Sequence, residues 1–93
     1  MIGKKVIIRS TNSGVHFGTL KSLEGETAVL ENSRRLWYWR GAFTLSAVSQ
    51  RGIAEGSRIS IVVPEILVNQ VIEVIPCAPA AAQKIEEMEA HLG

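Results

Sequence analysis

Three large rings and three guanidinium groups fall within eight residues, from Arg34 to Gly41 (Arg-Arg-Leu-Trp-Tyr-Trp-Arg-Gly), and no other part of the 93-residue chain is as dense in recognition chemistry. Arg presents a planar fork of donors that matches phosphate, and its face stacks on aromatic rings. Trp and Tyr offer a platform for a purine, with stacking that contributes about 1–3 kcal/mol per base in single-strand binders. Together with Arg9, the residues Arg34, Arg35, Trp37, Trp39 and Arg40 are candidates for holding a phosphorylated, ring-bearing ligand. The competing reading is structural: a thin β-domain needs at least one of these Trp side chains in its core, with the arginines as solvated strand ends. Period two sets Arg35, Trp37, Trp39 and Gly41 on one face and Arg34, Leu36, Tyr38 and Arg40 on the other, so the stretch can serve as core and site together.

Catalytic parts are scarce. The chain has no Asp, and its two His, His16 and His91, lie far apart in sequence. A Cys77–His16 nucleophile pair is conceivable only through the fold, and a lone Cys behind a β-run is more often a small apolar packer. His16 beside a turn reads as a satisfied polar residue rather than a base. Gly14 and Gly18 stand in turn and strand context with no helix following, which excludes a phosphate-binding glycine loop of the Walker or dinucleotide type. One cysteine makes no internal disulfide, and without a Cys/His cluster there is no zinc pattern. The reading is of a protein that binds and does not catalyse, with no metal and no cofactor.

Composition narrows the partners. With 46% apolar and 20% charged residues the chain has the balance of a folded globular protein, and 93 residues make one domain with a thin core. The net charge of +1 hides an asymmetry: through Arg58 there are nine Lys or Arg against four Glu, and from Ile59 onward one Lys against five Glu. The front half is suited to meet an anion, but near-neutrality overall argues against a long nucleic acid, which demands many phosphate contacts. Only three apolar residues separate Lys5 from Arg9, too few for a signal-peptide core, and no run reaches membrane-span length. A cytoplasmic protein with no membrane partner is expected.

The elements that must position these groups read as an antiparallel meander. Lys4–Ser10 is a β-rich run ending in the turn residues Thr11-Asn12-Ser13-Gly14; Val15–Leu23 follows, and Glu24-Gly25-Glu26 reverses the chain into Thr27–Glu31. Asn32-Ser33 is a softer break before the strand Arg34–Arg40. Thr44 as N-cap and Gly52 as C′ residue bound a short helix over 44–51. Arg58–Val63 and Ile66–Ile75 are β-branched runs separated by Pro64-Glu65, where Pro64 marks a bend or an edge. Pro79 suits the first turn of an amphipathic helix within 77–92, whose stripe Ala81, Ile85, Met88 and Leu92 either seals the chain's own sheet or packs on a second copy. The expected fold is α+β: a single domain, 1–93, whose β-rich body (1–76) is a small antiparallel sheet or partly open barrel of five to six strands, with a short middle helix and a C-terminal helix.

At this point the chain resembles a family of short phage proteins marked by an Arg-Arg-Leu-Trp-Tyr-Trp core followed by Gly-Ala and a small helix, here Arg34 to Val48. The likeness extends through Val6 to Thr11, Gly14-Val15-His16, Gly18-Thr19-Leu20, Val63 to Ile66 and Val71 to Pro76. That family is similar in turn to the Thoeris anti-defence proteins of phages, which act as sponges for cyclic nucleotide immune signals. The resemblance implies binding of cyclic ADP-ribose isomers, and in some members cyclic oligonucleotides, without cleavage. It further implies homo-oligomers with ligand sites at interfaces, acting in the host cell cytoplasm. Arg9 and the Arg34–Arg40 core are the residues carried over, with Thr11, Ser13 and Asn69 as further polar candidates. The alternative is a protein-binding inhibitor or assembly module that uses the same Trp and Arg residues as an interface hot spot.

Overall fold

The first strand, β1 (Lys5–Ser10), contains Val6-Ile7-Ile8, three consecutive β-branched residues with no exposed surface. A strand alternates its side chains, so a continuous apolar run must be covered on both faces. The computed structural model, which describes residues 1–91, supplies both covers. Val6 and Ile8 join Leu20, Ala28, Leu30, Val68 and Val71 inside a curled sheet. Ile7 points the other way and joins Phe17, Leu36, Val48, Ile53, Ile59, Ala82 and Ile85 beneath two helices. Full burial of each such side chain contributes roughly 1.5–3 kcal/mol.

The remaining strands are β2 (Gly14–Glu24), β3 (Thr27–Tyr38), β4 (Arg58–Ile59), β5 (Val63–Val68) and β6 (Val71–Pro76), and the helices are α1 (Leu45–Arg51) and α2 (Pro79–Glu87). All ladders are antiparallel, in the order β4-β3-β2-β1-β6, with β5 also on β3. β6 closes one end of this path and β5 flanks β3 toward the other, yet only Asn69-Gln70 separates the two strands in sequence. The sheet therefore curls until its ends meet at that corner. Ser10 Oγ donates to the Asn69 carbonyl at 2.7 Å, Thr27 Oγ1 to Asn69 Oδ1 at 3.1 Å, and Thr11 N to the Gln70 carbonyl at 3.0 Å. Among the described residues no ladder joins β5 to β6, so the barrel stays open. The radius of gyration, 11.8 Å, matches the roughly 12 Å of one domain of this length.

The curl depends on a bend where β2 crosses β3. Phe17 pairs with Arg34 but Thr19 with Glu31, so β3 carries an extra residue, and Asn32 takes a left-handed φ of 50°. At Gly18 an added Cβ would lie 3.1 Å from the Glu31 carbonyl oxygen and from Leu30 Cβ, so any larger residue would crowd this crossing. Asn32-Ser33 is thus a bulge within one long strand rather than a break between two. The other departures from the expected elements are local. The 58–63 run forms only the two-residue β4 at Arg58–Ile59 and gives its last residue, Val63, to β5. Pro64 lies inside edge strand β5, and the 66–75 run divides at Asn69-Gln70, where Gln70 takes φ 56°.

Helix α1 begins where expected: Thr44 Oγ1 accepts from Ala47 N at 3.1 Å, and Gly52 closes the other end with φ 79°. Helix α2 carries Pro79 in its first turn but ends at Glu87, short of the expected 92. Of its stripe, Ala81 and Ile85 are fully buried in the chain's own core, and Met88 packs half-buried against that core. Leu92 lies outside the described residues.

Candidate ligand groove

A groove of about 830 Å³ opens on the helix-bearing side of the sheet. The end of β1 and its turn contribute Arg9, Ser10, Thr11 and Gly14, with Val15 from β2 beside them. Ile72 and Glu73 come from β6, and Trp39, Phe43 and the start of α1 form the facing wall. Trp39 reaches this wall because β3 ends at Tyr38, which stops the alternation. Its ring turns back against the Leu36 cluster while the next residues leave the sheet. The segment that follows is fastened from behind. Arg40 N donates to Ser57 Oγ at 2.9 Å, Ala54 N to the Arg40 carbonyl at 2.8 Å, and Gly41 takes φ 87° where an added Cβ would meet Ala54 Cβ at 2.8 Å. Phe43 then stands fully exposed at the rim.

Arg9 is the groove's cation. It is exposed and, among the described residues, has no ion-pair partner within 4 Å, whereas Lys5 pairs with Glu86 and Lys21 with Glu65. Arg9, Thr11 and Trp39 are the expected ligand residues that the fold brings together here. The others go elsewhere. Arg34 is 4% exposed; its Nε donates to the Ser60 carbonyl at 2.9 Å and its Nη1 to the carbonyls of Ile85 (2.9 Å), Glu86 (3.2 Å) and Met88, closing the C-terminus of α2. Burial pulls its pKa below the ordinary value. Ser13 Oγ lies 3.1 Å from His16 Nε2, and Asn69 ties the β5–β6 corner. Arg35 is exposed opposite His16, and the Arg40 side chain lies against Gly56.

Trp37 and Trp39 do not share a face as strict alternation predicts. Trp37 is about half exposed, with Arg58 5.5 Å from its ring centroid and 5.6 Å from that of Tyr38, and His91 edge-on at 5.3 Å. Tyr38 is likewise half exposed and does not join Leu36 in the core. Phe43 and Glu73 escaped the sequence reading of the groove. Phe43 had a visible signal, an aromatic side chain two residues past the Gly41 turn, whereas Glu73 reaches the groove only through the β1–β6 pairing.

Cys77 and His16 do not form a pair. Cys77 packs on the helix-side cluster, and burial followed by the Glu86 charge pushes its thiol up to about 11. His16 is opposite Ile8 in register and so faces the sheet interior; its Nδ1 is buried without a partner among the described residues. Burial, then the Arg35 charge, lower its pKa below 6.5. Among the described residues no three His, Cys, Asp or Glu side chains are arranged to hold a metal ion, and no helix is long and apolar enough to cross a membrane.

A curled antiparallel sheet with two helices on one face and a cationic, aromatic-walled groove beside them defines a small α+β domain. The chain belongs to the family DUF6948, described as a domain of unknown function, which matches residues 3–85, from the start of the first strand region into α2. No curated protein and no solved structure matches the chain.

Proposed function

We propose that this protein binds a small phosphorylated nucleotide in the Arg9 groove and sequesters it without cleaving it, as a phage anti-defence sponge for cyclic nucleotide immune signals in the host cytoplasm. The observation that carries the reading is a guanidinium, without an ion-pair partner among the described residues, lining a groove walled by Trp39 and Phe43. Its volume lies within the range of ligand pockets, about 300–1,000 Å³. Arg9 holds phosphate, the rings flank a base, and Thr11 adds a hydroxyl. The resemblance of the Arg34 to Val48 core to the sponge-like phage family supports the cyclic class of ligand, cyclic ADP-ribose isomers and cyclic oligonucleotides.

Calorimetry of the full chain against cyclic ADP-ribose isomers and a panel of cyclic di- and trinucleotides tests this. Binding well below about 10 µM is expected, with chemically intact nucleotide released on heat denaturation; the absence of binding at that concentration, roughly −7 kcal/mol, removes the reading. Arg9→Ala is expected to weaken binding at least about tenfold, the loss of one charge-assisted hydrogen bond. Self-association is part of the same proposal, and light scattering should return the mass of two or more chains. A monomeric mass would remove that element and leave the groove, which one chain builds by itself.

A second reading rests on the exposed Trp37, Tyr38 and Arg58 stack, which has the residue types of a protein-interface hot spot. On that reading the chain is a protein-binding inhibitor or assembly module, and Trp37→Ala abolishes capture of a host protein while leaving nucleotide affinity unchanged.

A further inference from the structure

A carboxylate stands beside the groove's cation, and phosphate binding with ring stacking gives it no task. Glu73 is the register partner of Arg9 across the β1–β6 ladder; both are exposed and both line the groove. Directly opposed residues hold their Cβ atoms about 4.5–5.5 Å apart, within easy reach of an ion pair for side chains this long. Among the described residues they make none. The ladder shifts register between Arg9 and Ser10, and such irregularities re-aim the neighbouring side chains. An occupant of the groove therefore meets a free cation and a free carboxylate side by side.

An ionised carboxylate only accepts hydrogen bonds, through two oxygens set to receive a pair of parallel donors. Among nucleobases, guanine offers such a pair, N1–H and N2–H, on its Watson–Crick edge. Adenine sets its N6 donor next to the N1 acceptor, which would meet a carboxylate oxygen lone pair to lone pair. We propose that Glu73 reads a guanine base, receiving N1–H and N2–H, while Arg9 holds a phosphate of the same ligand and Trp39 and Phe43 flank the ring. This rests on the nucleotide-binding reading of the groove and narrows it to guanine-bearing cyclic nucleotides. Discrimination follows from the mismatch, because a site built for paired donors strongly disfavours an analogue that leaves its polar groups unpaired.

Cyclic di-GMP and cyclic di-AMP share one backbone and differ only in the base, so titrating the full chain with each isolates Glu73's contribution. The wild-type protein should bind cyclic di-GMP at least about tenfold more tightly, a difference of roughly one good hydrogen-bonded pair. Glu73→Gln, on an exposed strand position and checked for an unchanged melting temperature, should bring the two affinities within about threefold of each other, whereas Arg9→Ala should weaken both alike. Equal binding of the two nucleotides by wild type, binding confined to adenine-bearing probes such as cyclic ADP-ribose isomers, or a Glu73→Gln variant that weakens both equally, as a ribose contact would, each overturns the guanine assignment and leaves sequestration standing. Failure to bind any cyclic nucleotide removes both.

Discussion

The Arg34 guanidinium is ringed by main-chain carbonyls, and the Arg9 guanidinium faces open groove. The two residues therefore respond to truncation in opposite ways. Arg34→Ala uncovers the last carbonyls of α2 and the Ser60 carbonyl in a buried place, and the expected loss is about 2–4 kcal/mol in urea unfolding. Arg34→Lys recovers only part, since a single ammonium cannot reproduce the fork. Arg9→Ala should leave stability within about 0.5 kcal/mol while removing ligand affinity. His16 adds a pH dependence. Its folded pKa lies below 6.5, so well above that pH neither state is protonated and the residue contributes nothing. As pH falls below 6.5 the unfolded chain takes up the proton first, and stability drops until the folded pKa is passed. Urea midpoints at about pH 7.5 and 5.5 should differ more for wild type than for His16→Gln, since carboxylates remain mostly ionised across that window. Sequence alone showed that these residue types were dense near Trp37. It did not separate a capping arginine from a binding one, because that distinction lies in which carbonyls the fold delivers.

At the scale of elements, the bulge in β3 decides where everything after it points. Ala28 and Leu30 face the sheet interior, whereas Arg34 and Leu36, of the same parity, face the helices, and the extra residue at Asn32 makes the change. Asn32-Ser33 was legible as an interruption, but a break and a bulge look alike in sequence; only continued pairing of β2 on both sides tells them apart. Asn tolerates the left-handed region and β-branched residues do not, so Asn32→Val should cost about 1–2 kcal/mol while Asn32→Gly stays near neutral. Gly18→Ala should also destabilise, since its neighbours are β3 backbone and the Cβ of buried Leu30, none of which retreats easily. An Asn32→Val protein as stable as wild type would mean that the bulge does not need its left-handed residue. The short reach of α2 has a similar origin. Glu86, Glu87 and Glu89 crowd the negative end of the helix, where acidic side chains are unfavourable, and Arg34 from β3 closes it from outside. The period of the stripe predicts the helix and its buried face; its stop comes from a residue about fifty positions earlier.

For the molecule as a whole, the meander, both helices and the α+β class were readable from turn residues, period and caps, because local chemistry decides them. The curl was not, since it depends on which strands pair across a two-residue link. The positive front half is likewise redistributed by the fold. Lys5 and Lys21 are paired with glutamates, Arg34 is internal, Arg58 lies over two rings, and Arg9 shares its groove with Glu73. With these five of the nine front-half cations paired, buried, stacked or set beside a carboxylate, the proposed single-arginine site and a polyanion surface should behave differently with salt. A protein neutralising about six phosphates loses roughly 10³-fold or more in affinity between 50 and 200 mM salt, and one that holds a ligand through a single arginine should lose only a few-fold. Fluorescence anisotropy with labelled single strands of about 20 nucleotides should show no binding at about 150 mM salt, where counterion release disfavours weak contacts. Calorimetry with a cyclic dinucleotide over the same salt range should show a shallow slope. A steep slope, or retention of the long strands, would point to phosphate contacts spread over the surface and away from the Arg9 groove.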